Sequence, residues 1–452
     1  MNINTIRLEE LPYHTDSCEL FERIRDLPHA LLLDSGTPYS LAGRFDILTA
    51  DPVNDFEISI DNTTSYDGIR KYFLELVKVH SSYCKGLVTP AEEIPFCGGI
   101  AGYLDYEAGR PLQHLPGSSL ARSNLHFYQW AVIQDHLLQR CTFASLPSLP
   151  TRQHSKLLSR LRQPADPAPA PSFHLRQAFE SNMSTQQYQQ AVATIHRYIL
   201  AGDCYQVNLA QRFSSRFDGD PWAAYRMLRP LAAAHFAGYM ECSDRSSLLC
   251  LSPERFLKLA GKRVEARPIK GTRPRHKDPL ADKASADELR QSVKDRAENL
   301  MIVDLLRNDL GRNCKPGSIH VERLFELESY PTVHHLVSTI SGELRAGCDA
   351  VDLLRDSFPG GSITGAPKRR AMEIIEELEP DPRQAYCGSM LYISADGRMD
   401  SNIAIRSLLC EEDRIYCWGG GGIVADSEWE SEYQETLDKV GRFLEALEAD
   451  LD

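Results

Sequence analysis

Carboxylates able to hold a cation recur in this chain at helical spacing. In SVKDRAENLMIVDLLRNDLGR, from residue 292 to 312, Asp295 and Glu298 stand three apart and are therefore neighbours on a helix surface. Ala297, Leu300, Met301, Leu305 and Leu306 recur along the same stretch and mark the side expected to pack. Near the C-terminus Glu428, Glu432, Glu435 and Lys439 step by four, three and four along a second helical pattern. Mg²⁺ prefers oxygen ligands and usually takes only one or two carboxylates plus waters and substrate oxygens, so one Glu from each helix would suffice. Acids at this spacing are also ordinary on solvated helix faces, and alone they do not decide between the two readings.

Other reactive groups narrow the choice. Residues 248–252 read as a strand that delivers Glu254 to its end. Lys270 opens the run Lys270-Gly271-Thr272 amid arginines and lysines; its charged form attracts anions, and only its neutral amine is a nucleophile. Gln206 and Asn208 alternate onto one face of a strand. From Phe358, FPGGSITGAPKRRAMEIIEELEP reads as a glycine turn leading into a helix with Pro367 at its first position, where free N–H groups favour an anion. Two residues between Gly365 and Lys368 break the phosphate-loop pattern. A β-meander over 386–394, 399–410 and 414–418 follows, with Arg406 inside a strand. It ends in four glycines, 419–422, expected to form a turn whose successive N–H groups hold another anion. This assortment suits a substrate that carries carboxylates and binds through Mg²⁺.

The elements that must position these groups sit in a chain of 452 residues, long enough for a large core and two lobes. A formal net charge of −13 argues against a nucleic-acid surface. Twelve cysteines lack CxxC or Cys/His ligand spacing and read as reduced thiols, which points to the cytoplasm; no zinc site is expected. No apolar run approaches membrane-spanning length, and the N-terminus lacks a secretory pattern. The glycines of FCGGIAGYLDYEAGR, 96–110, fit closely approaching strands. Residues 146–171 become proline-rich, ending QPADPAPAP, and are expected to be a semi-rigid spacer between regions 1–172 and 173–452. Just beyond, Ser184 to Gln187 resembles a capping box, and Tyr188, Val192, Ile195 and Ile199 form a helical face closed by Gly202.

PIKGTRPR at 268–275, DRAENLMIVDLLRNDLGR at 295–312, PGGSITGAPK at 359–368 and GGGIVADSEWESEYQETLDK at 420–439 together resemble the chorismate-utilising enzymes. The resemblance implies an α+β fold of two antiparallel β-sheets packed as a sandwich, helices outside and the active site between. It implies Mg²⁺ on Glu298 and Glu435, with Asp295 and Glu432 behind them. Tyr386, Arg406 and Gly420, Gly421 and Gly422 would grip the enolpyruvyl carboxylate of chorismate, with Thr364, Gly365 and Lys439 near the carboxylate and metal. Glu254 matches the acid that protonates the departing 4-hydroxyl, Lys270 the nucleophile at C2, and Thr272 and His335 lie at the substrate. Members that add water carry a lysine where this chain has Gln206, so ammonia is the expected nucleophile. Lysine rather than alanine within PIKGT implies 4-amino-4-deoxychorismate, for p-aminobenzoate and folate synthesis, rather than anthranilate. The ammonia is expected from a separate glutamine amidotransferase, since no Cys/His amidotransferase motif is visible. The alternatives are an anthranilate-forming member and, in another class, a non-catalytic tryptophan-binding regulatory homologue. A two-carboxylate glycosidase explains neither Lys270 nor the glycines. By the same resemblance Ser35, Ala42, Gly43, Arg44, Phe45, His235, Phe236 and Ala237 form a tryptophan pocket. Ser35 can hydrogen-bond the amino acid, Arg44 adds charge and Phe236 can stack on indole.

Overall fold

The structure, a computed structural model, describes the chain apart from residues 1–3, 41–42, 54–59, 61–64, 89–93, 119–120, 164–171, 244, 331–332 and 452. Its strands form two antiparallel sheets. The first runs Arg7–Leu11, Arg140–Ser145, Trp130–Asp135, Phe45–Thr49, Leu31–Asp34, Phe236–Ser243, Ser246–Ser252, Ser407–Glu411, Arg414–Ile423, Gln206–Gly219 and Gly365–Ala366. The second runs Ile269–Pro274, Val333–Glu343, Arg263–Ala266, Arg255–Ala260, Met399–Asn402, Ser389–Ser394, Gly99–Leu104 and Ser123–Tyr128. Strands from either side of residue 172 hydrogen-bond within both sheets: Ala237 is paired with Asp34, and Leu391 with Gly102. Regions 1–172 and 173–452 therefore interleave. Apolar side chains of both sheets, among them Leu31, Ile100, Leu248, Leu257, Ile340 and Leu391, make one core, and helices cover outer faces with two more. Among the described residues no helix is long and apolar enough to cross a membrane.

Local signals explain much of this. Helix Thr185–Ala201 begins with Ser184 and Gln187 exchanging bonds in a capping box and ends at Gly202 with φ 81°. In Gly99–Leu104 a side chain at Gly102 would sit 1.8 Å from the Asn124 carbonyl oxygen, so glycine is what lets the strand lie between its neighbours.

Five expectations need correction. Residues 146–171 are not one spacer: the proline-free stretch Thr151–Arg162 is a helix that buries His154, Leu157 and Leu161, while 164–171 lie outside the described residues. Helix Val293–Gly311 packs through Ile302, Val303, Leu306 and Leu310, whereas Ala297 and Leu300 are exposed, and its first turns border a cavity through Lys294, Asp295 and Glu298. The meander divides: Met399–Asn402 belongs to the second sheet and Ser407–Glu411 to the first. Arg406 lies at that crossing with φ 50°, outside any strand. The glycines at 419–422 form no turn. They lie inside strand Arg414–Ile423, paired with Asn208, Leu209, Ala210 and Gln211. A side chain at Gly419 would meet the Thr436 carbonyl oxygen at 2.3 Å, so the glycines admit helix Trp429–Glu448 against the strand.

Candidate active site

Four expected elements converge on a cavity of about 670 Å³. Strand Ser246–Ser252 ends just before Glu254, whose carboxyl is buried. Burial raises its pKa, against the lowering influence of the Lys270 charge and the Ser362 hydroxyl. Lys270 stands on strand Ile269–Pro274, its Nζ donating to the Ser362 carbonyl at 3.3 Å, and its charge is felt by Glu254, Glu298 and Glu435. A β-bulge separates Lys270, paired with Leu336, from Thr272, paired with His335. Gly271 occupies the bulge with φ 76°, where a side chain would strike Leu289 and Asp295. Bulges re-aim side chains, and this one turns Lys270 into the cavity. Thr272 Oγ1 and His335 Nδ1 are 2.9 Å apart, and burial, then the Arg406 charge, lowers the imidazole pKa to about 3, so the ring is neutral.

The two acid-bearing helices face each other across this space. Asp295, Glu298, Glu432 and Glu435 all line it. Asp295 accepts from Arg273 at 3.1 Å. Glu432, buried, accepts from Lys294 at 3.1 Å and Ser427 at 2.7 Å. Lys439 Nζ lies 2.6 Å from Glu435 and donates to the Gly420 carbonyl at 2.8 Å. Burial pushes the Glu298 pKa up, with Lys270 and Lys294 opposing; at Glu435 burial also raises, but Lys439, Lys270 and Lys294 together outweigh it and hold the carboxyl low. One carboxyl from each of two helices on one cavity is a donor set of the kind Mg²⁺ takes. Among the described residues no group of three His, Cys, Asp or Glu is placed to hold a metal.

Opposite, the Tyr386 ring stacks on Trp418 at 6.0 Å between centroids and 3° between planes. A side chain at Gly420 would come within 2.6 Å of the Tyr386 hydroxyl. Arg406 lines the same wall, its pKa lowered by burial and then by the Arg442 charge. Not every expected residue reaches the cavity. The buried Thr364 hydroxyl donates to the Gly360 carbonyl at 3.1 Å, Gly365 pairs with Val207, and Gly421 abuts Glu432; these stand behind the lining. Gln206 is also behind it, 1% exposed, with both amide atoms lacking hydrogen-bond partners among the described residues. The helix after the PGGSITGAPK run begins at Lys368 with Pro367 as its cap, and Lys368 Nζ is engaged by Asp309 at 2.8 Å, so its start is tied to the helix Val293–Gly311.

Asn208, read with Gln206 onto one strand face, lines the cavity, and so do Arg273, Lys294, Ser362, Trp418 and Arg442, which were not singled out as site residues. Arg442 was legible as the residue three beyond Lys439 on one helix face. Arg383 was not: its guanidinium donates to the Ile363 carbonyl at 2.8 Å, the Asn208 carbonyl at 2.9 Å and Glu379 at 2.6 Å, bracing the wall from behind.

A second cavity, of about 560 Å³, is lined by Ser35, Gly43, Arg44, Phe45, His235, Phe236 and Ala237 together with Arg255, Met390 and Asp400. Ala42 lies outside the described residues. The Ser35 hydroxyl donates to Asp46 at 2.7 Å, leaving its oxygen to accept. Arg44 is paired with Asp135 at 3.1 Å and lies 4.3 Å over the Phe45 ring, and Arg255 lies 4.8 Å over Phe236 while bonded to Asp400.

The profile of the chorismate binding enzyme family matches residues 30–445. The chain is 44% identical to aminodeoxychorismate synthase component 1 of Klebsiella aerogenes, over 97% of this chain and 98% of that one. It is 37% identical to anthranilate synthase component 1 of Streptomyces coelicolor, over 78% and 73%. Its structure is similar to that of anthranilate synthase component I from Streptococcus pneumoniae, with a TM-score of 0.75 at 29% identity, covering 90% and 93% of the two chains.

Proposed function

Since the chain belongs to the chorismate-binding enzymes, we propose that it converts chorismate and ammonia to 4-amino-4-deoxychorismate, the precursor of p-aminobenzoate and folate. The observation that carries this reading is that Lys270 and Glu254 open on one cavity shared with Glu298 and Glu435. The near full-length similarity to a protein named aminodeoxychorismate synthase component 1 supports it. That name also implies a second component, read here as a glutamine amidotransferase that makes the ammonia.

The chain's own residues divide the work. The buried Glu254 carboxyl keeps its proton to higher pH than an ordinary glutamate and gives it to the 4-hydroxyl, which leaves as water. The Lys270 amine bonds to C2 as the ring double bond shifts and the C4–O bond breaks. Ammonia then bonds to C4, the double bond returns, and the C2–N bond to Lys270 breaks. The enolpyruvyl ether is untouched, so pyruvate is retained. Arg406 carries the charge that meets the enolpyruvyl carboxylate, with Tyr386 beside it; the glycine-strand N–H groups are in part engaged by pairing with Gln206–Gly219. Glu298 and Glu435 would hold Mg²⁺, which when bound would supply positive charge for the ring carboxylate. His335, being neutral, adds no charge of its own.

For the second cavity we adopt a bound tryptophan that stabilises the fold, its indole against Phe236 and its polar end at Ser35. Twelve free cysteines, eleven of them buried, support a cytoplasmic location.

The deciding experiment incubates the purified chain with chorismate, Mg²⁺ and either ammonium chloride or glutamine, and reads the product mass. The expected product, with ammonium only, has the hydroxyl replaced by an amino group and no free pyruvate. Pyruvate with fluorescent anthranilate would transfer the chain to the anthranilate-forming branch, and turnover of glutamine would remove the separate amidotransferase. Tryptophan released on denaturation in native mass spectrometry, or a melting point raised by added tryptophan, supports the second-cavity reading; neither effect would remove it.

A further inference from the structure

Tyr330 stands between the two cavities with a histidine from each against its ring. On one side is His235, in the wall of the second cavity, its ring centroid 4.7 Å away at 44°. On the other is His335, lining the active-site cavity, at 5.5 Å and 59°. The tyrosine is anchored at three points. Its hydroxyl donates to Glu328 at 2.6 Å, its N–H to the Val333 carbonyl at 2.8 Å, and its own carbonyl accepts from Arg275 at 2.9 Å. Beyond it the contacts continue, since His335 Nδ1 is bonded to Thr272 Oγ1, and Thr272 flanks the bulge whose other flank is Lys270.

We propose that Tyr330 is a positioning residue: it sets the His335 ring, through it the Thr272 bulge that aims Lys270, and it brings the His235 wall of the second cavity into the same chain of contacts. Packed rings shift together rather than deforming separately, and a small misplacement of a reacting group costs rate far more than it costs binding. Tyr330 itself does not line the active-site cavity, so its loss removes no direct contact to chorismate. This inference rests on Lys270 being the nucleophile.

The test measures kcat and the chorismate KM with ammonium for wild type, Tyr330→Phe, Tyr330→Leu, His235→Ala and the Tyr330→Leu/His235→Ala double variant, each with its thermal melt. Wild-type turnover tests the proposed reaction, and the ratio of each variant to wild type tests Tyr330, so the two failures read differently. Tyr330→Leu should lower kcat roughly tenfold to a hundredfold with a smaller change in KM. Tyr330→Phe, which keeps the ring, should retain the wild-type rate. His235→Ala should lower kcat less, and the double variant should be no slower than Tyr330→Leu alone, because both act along one path. The proposal is overturned if folded Tyr330→Leu keeps its kcat, if Phe is as slow as Leu, or if the two single effects multiply. Should Tyr330→Leu not melt cooperatively, His235→Ala decides: an unchanged kcat in that variant overturns the chain of contacts.

Discussion

Glu254 shows how one residue's surroundings set both its chemistry and its cost. Its carboxyl has a folded-state pKa above that of the unfolded chain, so it contributes stability below the unfolded value that is lost as pH rises through the folded one. The activity that depends on its proton should fall along the same rise. Glu254→Gln is therefore expected to lower kcat by about two to four orders of magnitude while the melting temperature at neutral pH stays level or increases. A pH profile and a melt check both halves; an equally fast Gln variant would leave Glu254 without an acid role. His335 behaves oppositely. With its pKa depressed to about 3, it contributes stability above the unfolded value that disappears as pH falls, and no limb of the activity profile near neutrality should belong to it. For the acid pair, Glu298→Gln or Glu435→Gln should abolish most turnover without unfolding the chain, and a chelator should do the same to wild type. Full turnover in chelator would remove the metal from the account.

Among the elements, the glycine strand carries the sharpest structural prediction. Gly419 has the Thr436 carbonyl oxygen where a methyl group would go, so Gly419→Ala must push helix Trp429–Glu448 off the strand. Overpacking of this kind costs about 1–3 kcal/mol, which a urea titration would register. That strand also marks the limit of what the sequence shows. Helix Thr185–Ala201 was legible to its ends because Ser184, Gln187 and Gly202 act within one turn of themselves. Glu254 at a strand end and the two acid pairs were legible for the same local reason. Four glycines in a row look like a turn until a helix distant in sequence is known to lie over them. Arg406 looked like a strand residue because nothing local says that the chain there changes sheets. The packing face of Val293–Gly311 was misplaced because its apolar residues continue onto the turns that border the cavity. Arg383 and Tyr330 escape a local reading because the partners that give them a role, Asn208 and His235, come from segments far apart in the chain.

Across the whole molecule, the sheets join regions that the proline-rich stretch separates in sequence. Strand Leu31–Asp34 completes the first sheet beside Phe236–Ser243, and Gly99–Leu104 completes the second beside Ser389–Ser394. A fragment of residues 173–452 would expose those strand edges and half the shared core. It is expected to give no cooperative melt, and a fragment that melts like the full chain would contradict the interleaving. The same architecture closes the active-site cavity between elements that carry Lys270, Glu254 and the acid helices, and the account stands or falls on what Lys270 does there. The most direct measurement mixes the protein with chorismate and Mg²⁺, withholds ammonia, quenches and weighs the intact chain. The account predicts a species heavier by chorismate less water, located on Lys270, cleared by ammonium and missing from an inactive Lys270→Ala. Wild-type turnover with no adduct at any time, matched by an equally active Lys270→Ala, would contradict it.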